Sequence, residues 1–239
     1  MKFRPSHSAV ALGGLLCLGL VFLGAFVNQA SVRMKDQDRG VTVKGLSERE
    51  YPADVVIWPI QFLVVSNDID ELYDQLEEDS SKVMQFLAAR GVSTEEITRA
   101  TPEIVDRSAQ RYGNNGPAPY RFSAVQTLTL YSKKVDEVRG LMSDMTLLGK
   151  QGIVFGNGDY QAQPEYVFTK LNQIKPDMIE EATRQAREVA QKFAEDSESK
   201  LGKIRRASQG QFSIEQRDTS TPHIKRVRVV STVEYYLVD

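Results

Sequence analysis

Nineteen consecutive residues from Ala9 to Val27, AVALGGLLCLGLVFLGAFV, carry no charge. As a helix such a run rises about 28 Å, close to the hydrocarbon thickness of a bilayer, so the segment can span one. Lys2 and Arg4 ahead of it also make the basic start of a secretory signal peptide. The apolar core of such a leader is normally only about 7 to 15 residues, however, and cleavage after Ala30 would put Asn28 where a small residue is wanted. The favoured reading is a short tail over 1–8, one transmembrane helix over 9–30 and a polar juxtamembrane linker over 31–40, SVRMKDQDRG, with cleavage as the alternative. Charge does not orient the span, because Lys2 and Arg4 on one side face Arg33, Lys35 and Arg39 on the other. The only cysteine, Cys17, sits inside the apolar run, so the body over 41–239 can form no intrachain disulfide. It reads as a lipid-facing thiol rather than a lipoprotein attachment, since Leu16 and not a small residue precedes it.

The body alternates strand-like and helical stretches. Val41 to Ser66 holds two strands separated by Gly45 and the turn Tyr51-Pro52-Ala53-Asp54, and Pro59 within the second removes a ladder donor, predicting an edge or a bulge there. Asp68 with Glu71 predicts a capping box, and Ile69, Leu72, Leu76, Val83 and Leu87 predict a helix running up to Gly91. A single turn at 93–96 leads into a strand over 97–105, and 108–120, with Gly113-Asn114-Asn115-Gly116 and two prolines, reads as a hairpin loop. A strand over 121–131 and a helix over 135–145 follow, the helix placing Val135, Val138, Leu141, Met142 and Met145 on one face. Residues 153–155 and 160–163 flank Gly156-Asn157-Gly158-Asp159 as a bent strand or hairpin.

The strongest helix is predicted from Pro176 to Leu201, stopped by Gly202, with a stripe of Ile179, Ala182, Ala186, Val189, Ala190, Phe193, Ala194 and Leu201 whose alanines allow close approach to a sheet or another helix. Strands over 209–215 and 225–238 end the chain, the last alternating Val227, Val229, Val233, Tyr235 and Leu237 against Arg226, Arg228, Thr232 and Glu234. Strand runs broken by single helices give an α+β fold class: a mixed sheet packed with a long alanine-rich helix, behind an N-terminal transmembrane helix.

Several of these passages resemble the SIMPL-domain family, the YggE-like bacterial envelope proteins. They are Val41-Thr42-Val43-Lys44-Gly45, the Tyr51-Pro52-Ala53-Asp54 turn, Leu87-Ala88-Ala89-Arg90-Gly91-Val92 with Glu96-Ile97-Thr98, Glu181 to Gly202, and the final VRVVSTVEYYL. The likeness spans 41–239 and departs at Ser47, where a second glycine is often found, and in the retained anchor. It implies an envelope protein, with rings or channel-like homo-oligomers in some members, a link to oxidative-stress tolerance in others, and a kinase-associated mammalian relative. From it follows the expected location, a single-pass protein of the bacterial inner membrane with the main domain in the periplasm.

Residues able to run a reaction are scarce. The two histidines are His7, in the tail, and His223, in the Ser220-Thr221-Pro222 loop, so any Ser-His-Asp arrangement would have to use His223, which reads as a solvated loop residue. Gly156-Asn157-Gly158 lacks the third glycine of a dinucleotide fingerprint, because Gln161 stands there. The acidic group Asp68, Asp70, Glu71, Asp74, Glu77, Glu78 and Asp79 lacks the spacing of a calcium loop and reads as a solvated helix face. Of 30 basic and 32 acidic residues only Lys2 and Arg4 fall within the first 30 positions, so the body is net acidic and free nucleic acid is not an expected partner. Lys203, Arg205 and Arg206, with Lys225, Arg226 and Arg228, form the candidate surface for an acidic lipid or protein partner, against the plainer reading of a charged strand exterior. Trp58, Phe62, Tyr235 and Tyr236 read as core.

No catalytic, cofactor-binding or metal-binding residue is assigned, and no cofactor is expected. The leading expectation is a non-enzymatic, membrane-anchored scaffold that self-associates. The alternative is a periplasmic binding module for a small ligand or polypeptide, and an enzyme built on carboxylates or His223 comes last.

Overall fold

The structure, a computed structural model, describes residues 16–17, 19–24, 39–109, 119–156 and 163–238. The anchor expected over 9–30 therefore lies largely outside the described residues. Its described part, Leu16, Cys17 and 19–24, is helical with exposed side chains, and among the described residues no helix is long and apolar enough to cross a membrane. Residues 110–118 of the loop expected over 108–120 and residues 157–162 of the expected glycine-rich bend also lie outside them.

The fold is α+β, and in place of one mixed sheet the chain builds two, in two compact units. The first unit takes Met1–Glu48, Lys175–Ser213 and Arg228–Asp239. Its sheet runs β1 (Gly40–Pro52), β10 (Ile224–Val238), β8 (Lys200–Gln209), and β10 pairs antiparallel with β8. The long helix α4 (Leu171–Asp196) buries Met178, Ala182, Ala186, Ala190 and Ala194, each four residues from the last, so one narrow stripe meets the sheet. The alanines let the backbones close in: a Cβ on Gly45 would stand 1.8 Å from the Ala182 carbonyl oxygen. Ala186 and Ala190 share a core with Val43, Val233 and Tyr235. Val189 and Phe193, expected in the stripe, are exposed because they lie off that line.

The ends of α4 correct the sequence reading. It starts at Leu171, so Pro176 sits inside it, and it stops at Asp196, with Leu201 and Gly202 in β8. The stop is made by Glu198, which takes the left-handed conformation (φ 55°), while Ser199 N–H donates to Ala194 O and Glu198 N–H to Glu195 O. These are the two bonds of a Schellman cap, built without the glycine that normally marks one. Gly202 instead serves strand pairing, since a Cβ there would lie 2.9 Å from Tyr236 O beside a register shift.

The second unit takes Arg49–Ile174 and Ile214–Val227. The hub of its sheet is β2 (Val55–Ser66), paired antiparallel along its whole length with β5 (Phe122–Ser132). Beyond β5 lie β3 (Ile97–Arg99) and β4 (Glu103–Asp106), two short strands where one was expected over 97–105. On the other side of β2 lie β6 (Val154–Phe155) and β7 (Glu165–Val167). Helix α1 (Ile69–Ala88) buries Leu72, Leu76, Val83 and Leu87 in one core with Phe62, Val64, Leu128 and Leu130, joined by Val138 and Leu141 of α2 (Val135–Asp144) and Leu148 of α3 (Thr146–Gly149).

Asp68 caps α1 by accepting from Asp70 N–H and Glu71 N–H, but Glu71 bonds Ser66 Oγ and does not close the expected box. A reciprocal box forms instead at Ser93 and Glu96, opening a 3₁₀ turn over Thr94–Glu96. Gly91 ends α1 with φ +86°, as its position predicts. The strand expected over 209–215 divides between β8 and β9 (Ser213–Gln216), which pairs with β10.

Candidate functional site

A proline within β2 lines an apolar concavity on the second unit. On the side of β2 away from β5, β7 pairs with Val55–Ile57 and β6 with Phe62 and Leu63, and neither reaches Trp58, Pro59 or Ile60. Gly156 N–H donates to Gln61 O at 2.9 Å, so the backbone groups of Gln61 face the β6 side. Groups two residues apart in a strand point the same way, which turns Pro59 toward the same side, with a carbonyl but no N–H. Among the described residues the expected edge or bulge is thus a gap in the ladder over Trp58, Pro59 and Ile60, about 10 Å long. A cavity of about 380 Å³ opens at this gap, lined by Trp58 to Gln61 of β2, Phe155 and Gly156 of β6, and Pro164. Met142, Met145, Thr146 and Gly149 complete it. Volume and chemistry, apolar walls with the side chains of Gln61 and Thr146 as the polar ones, match a small-molecule site.

A second, polar cleft of about 500 Å³ is lined by Asp54, Lys133, Thr169, Lys170, Asn172 and Gln173. Burial pushes the Asp54 carboxyl up, but Thr169 donates to it from both Oγ1 and N–H at 2.7 Å, and with Lys170 nearby the balance falls below the ordinary carboxylate value. Both carboxylate oxygens are thus occupied by the protein, and the two lysines are exposed. This cleft is more polar than the apolar one.

His223, read as a solvated loop residue, is half-buried edge-on to Tyr166, ring centroids 6.0 Å apart. Burial pushes its imidazole below the ordinary 6.5; Arg139 adds to the shift and Asp136 opposes it. Tyr166 is pushed up by burial, against the pull of Arg139, and its hydroxyl lies 3.7 Å from Met142 Sδ. No serine hydroxyl is hydrogen-bonded to the His223 ring among the described contacts. Lys225 is buried, and that burial lowers its ammonium against the opposing Glu165.

The basic cluster does not form one free surface. Lys203, Arg205, Arg206 and Arg228 belong to the first unit, Lys225 and Arg226 to the second. Arg205 pairs with Glu234, Arg228 with Glu48, and Arg226 donates to Arg217 O. The acidic helix face is likewise engaged: Glu77 pairs with Arg99, Glu78 and Asp79 with Lys82, and Asp79 is buried. Among the described residues no group of three His, Cys, Asp or Glu side chains could hold a metal ion. Trp58, Phe62 and Tyr235 are core residues as expected, while Tyr236 is exposed. Sequence reasoning named Trp58 and Pro59 separately but did not join them to Met142 and Met145, because only folding brings β2 and α2 to one cavity.

A family model described as SIMPL, protein of unknown function (DUF541), matches residues 41–234. No curated protein matches the chain.

Proposed function

Because the chain belongs to the SIMPL family, matched over 41–234, we propose that it acts without covalent chemistry, as a membrane-anchored envelope protein that assembles with copies of itself. The anchor is the uncharged run within 9–30, crossing the bacterial inner membrane, with the domain over 41–239 in the periplasm. The oxidative-stress link that the resemblance implies belongs to the same proposal, as an effect of the scaffold. The observation that carries the reading is the sheet of the first unit, where among the described residues β1 and β8 end the strand path and most residues of β8 are exposed. Such an edge presents unpaired N–H and C=O groups to another chain. Joining β1 of one copy to β8 of the next is a heterologous contact, the kind that closes into rings. The test is the mass of the full-length chain in mild detergent by light scattering, with cross-linking. A defined multimer is expected, and a monomer at all concentrations overturns the reading.

The apolar cavity favours a second reading, a periplasmic binding module for a small ligand. A saturable complex formed by the monomer would support it. The two readings use different units and do not compete for residues.

A further inference from the structure

Three connections of the chain meet at the polar cleft of the second unit: Asp54 just ahead of β2, Lys133 between β5 and α2, and Thr169 with Lys170 just ahead of α4. None of the residues that line it adjoins a stretch outside the described residues. We propose that this cleft binds a small hydroxylated anion, a sugar phosphate, with Lys133 and Lys170 holding the phosphate. The inference goes beyond both readings above, because the cleft shares no residue with the apolar cavity or with β8.

Charge selects the anion. Among the described residues neither Lys133 nor Lys170 makes an ion pair, whereas Lys134, the next residue, pairs with Glu137. Two ammonium groups suit a phosphate monoester, whose charge at neutral pH is about −1.5 to −2 and whose oxygens accept from rotatable ammonium donors. The carboxylate in the wall, Asp54, calls for hydroxyl groups on the same ligand. Thr169 donates to it from N–H and Oγ1, each at 2.7 Å, which fixes its place and helps to hold it below the ordinary carboxylate value. Each of its oxygens has a second lone pair, so it repels a bare anion and accepts from a hydroxyl. The exposed amides of Asn172 and Gln173 offer both donors and acceptors, which again suits hydroxyl groups. A volume of about 500 Å³ is far more than a lone phosphate fills and lies in the range of small-molecule sites.

The test is equilibrium dialysis of the full-length chain in mild detergent against radiolabelled glucose 6-phosphate. Saturable binding is expected, with glucose unable to displace it and inorganic phosphate displacing it about tenfold less well, since phosphate alone gives nothing to Asp54 or the amides. Lys133→Gln and Lys170→Gln, both at exposed positions, are each expected to weaken binding about tenfold. Lys134→Gln, beside the cleft but already paired, is expected to leave binding unchanged. Absence of saturable binding overturns the proposal. Displacement by glucose as effective as by unlabelled glucose 6-phosphate overturns the role of the lysines, and equally effective displacement by inorganic phosphate overturns the need for hydroxyl groups. Binding that survives both cleft substitutions, or that falls as far in Lys134→Gln, overturns the location.

Discussion

At Gly45 a single hydrogen atom decides whether helix and sheet can meet. An added Cβ would stand 1.8 Å from Ala182 O and 2.6 Å from Ala186 N, both backbone atoms that no side-chain rotation can clear. Gly45→Ala therefore has to push α4 away from β1, and it is expected to cost at least about 3 kcal/mol in urea unfolding. Glu198 gives the opposite sign. It holds a left-handed conformation at φ 55° that glycine adopts without strain, so Glu198→Gly is expected to stabilise the chain by about 1 kcal/mol. His223 supplies a pH dependence. Its folded value lies below the ordinary 6.5, so on acidification the unfolded chain takes up a proton before the folded one does. Stability then falls as pH drops below 6.5 toward the folded value, and is level above it. Proton NMR of the imidazole is expected to give a midpoint below the ordinary 6.5, and His223→Gln to remove the slope from urea midpoints.

Among elements, strand β8 carries the assembly proposal, and its register says which residues face the free edge. Gly210 N–H donates to Val230 O, and Ser208 and Arg206 continue the same register opposite Thr232 and Glu234. These positions direct their backbone groups to β10, so Ala207, between two of them, directs its N–H outward. Ala207→Pro removes only that outward donor, a substitution edge strands tolerate. It is expected to reduce the multimer to a monomer in light scattering while the circular dichroism spectrum keeps its shape. Ser208→Pro, one residue along, removes a ladder bond and is expected to lose folded signal. An Ala207→Pro chain that still assembles would mean that this edge is not the contact.

The same scale shows what the sequence could and could not reveal. The alternation of Val227, Val229, Val233 and Tyr235 and the spacing of Leu72, Leu76, Val83 and Leu87 are local patterns, and both became buried faces. The end of α4 was missed because its cap uses Glu198, which carries no glycine signal, and because Leu201-Gly202 imitates one. Pro59 announced a broken ladder, but the cavity also needs Met142 and Met145, which local periodicity assigned to core alone.

For the whole molecule, the first unit is assembled from three separated stretches of chain, and the second from one long stretch and one short. Periodicity reads only neighbours along the chain, so it found the long helices and most strands, but neither β8 nor this division. In the proposed reading, attachment and assembly use different stretches of the first unit, residues 9–30 for the span and β8 for the edge. A transmembrane helix holds its chain without help, whereas a peripheral contact needs many copies acting together. The monomeric Ala207→Pro chain is therefore expected to stay in the membrane pellet after alkaline carbonate extraction, and its intact mass to remain that of the whole 26.8 kDa chain. Release of the variant at full mass would make attachment a property of the multimer. A shorter chain beginning after Ala30 would instead mark residues 9–30 as a cleaved leader, leaving the edge contact to be judged by light scattering alone.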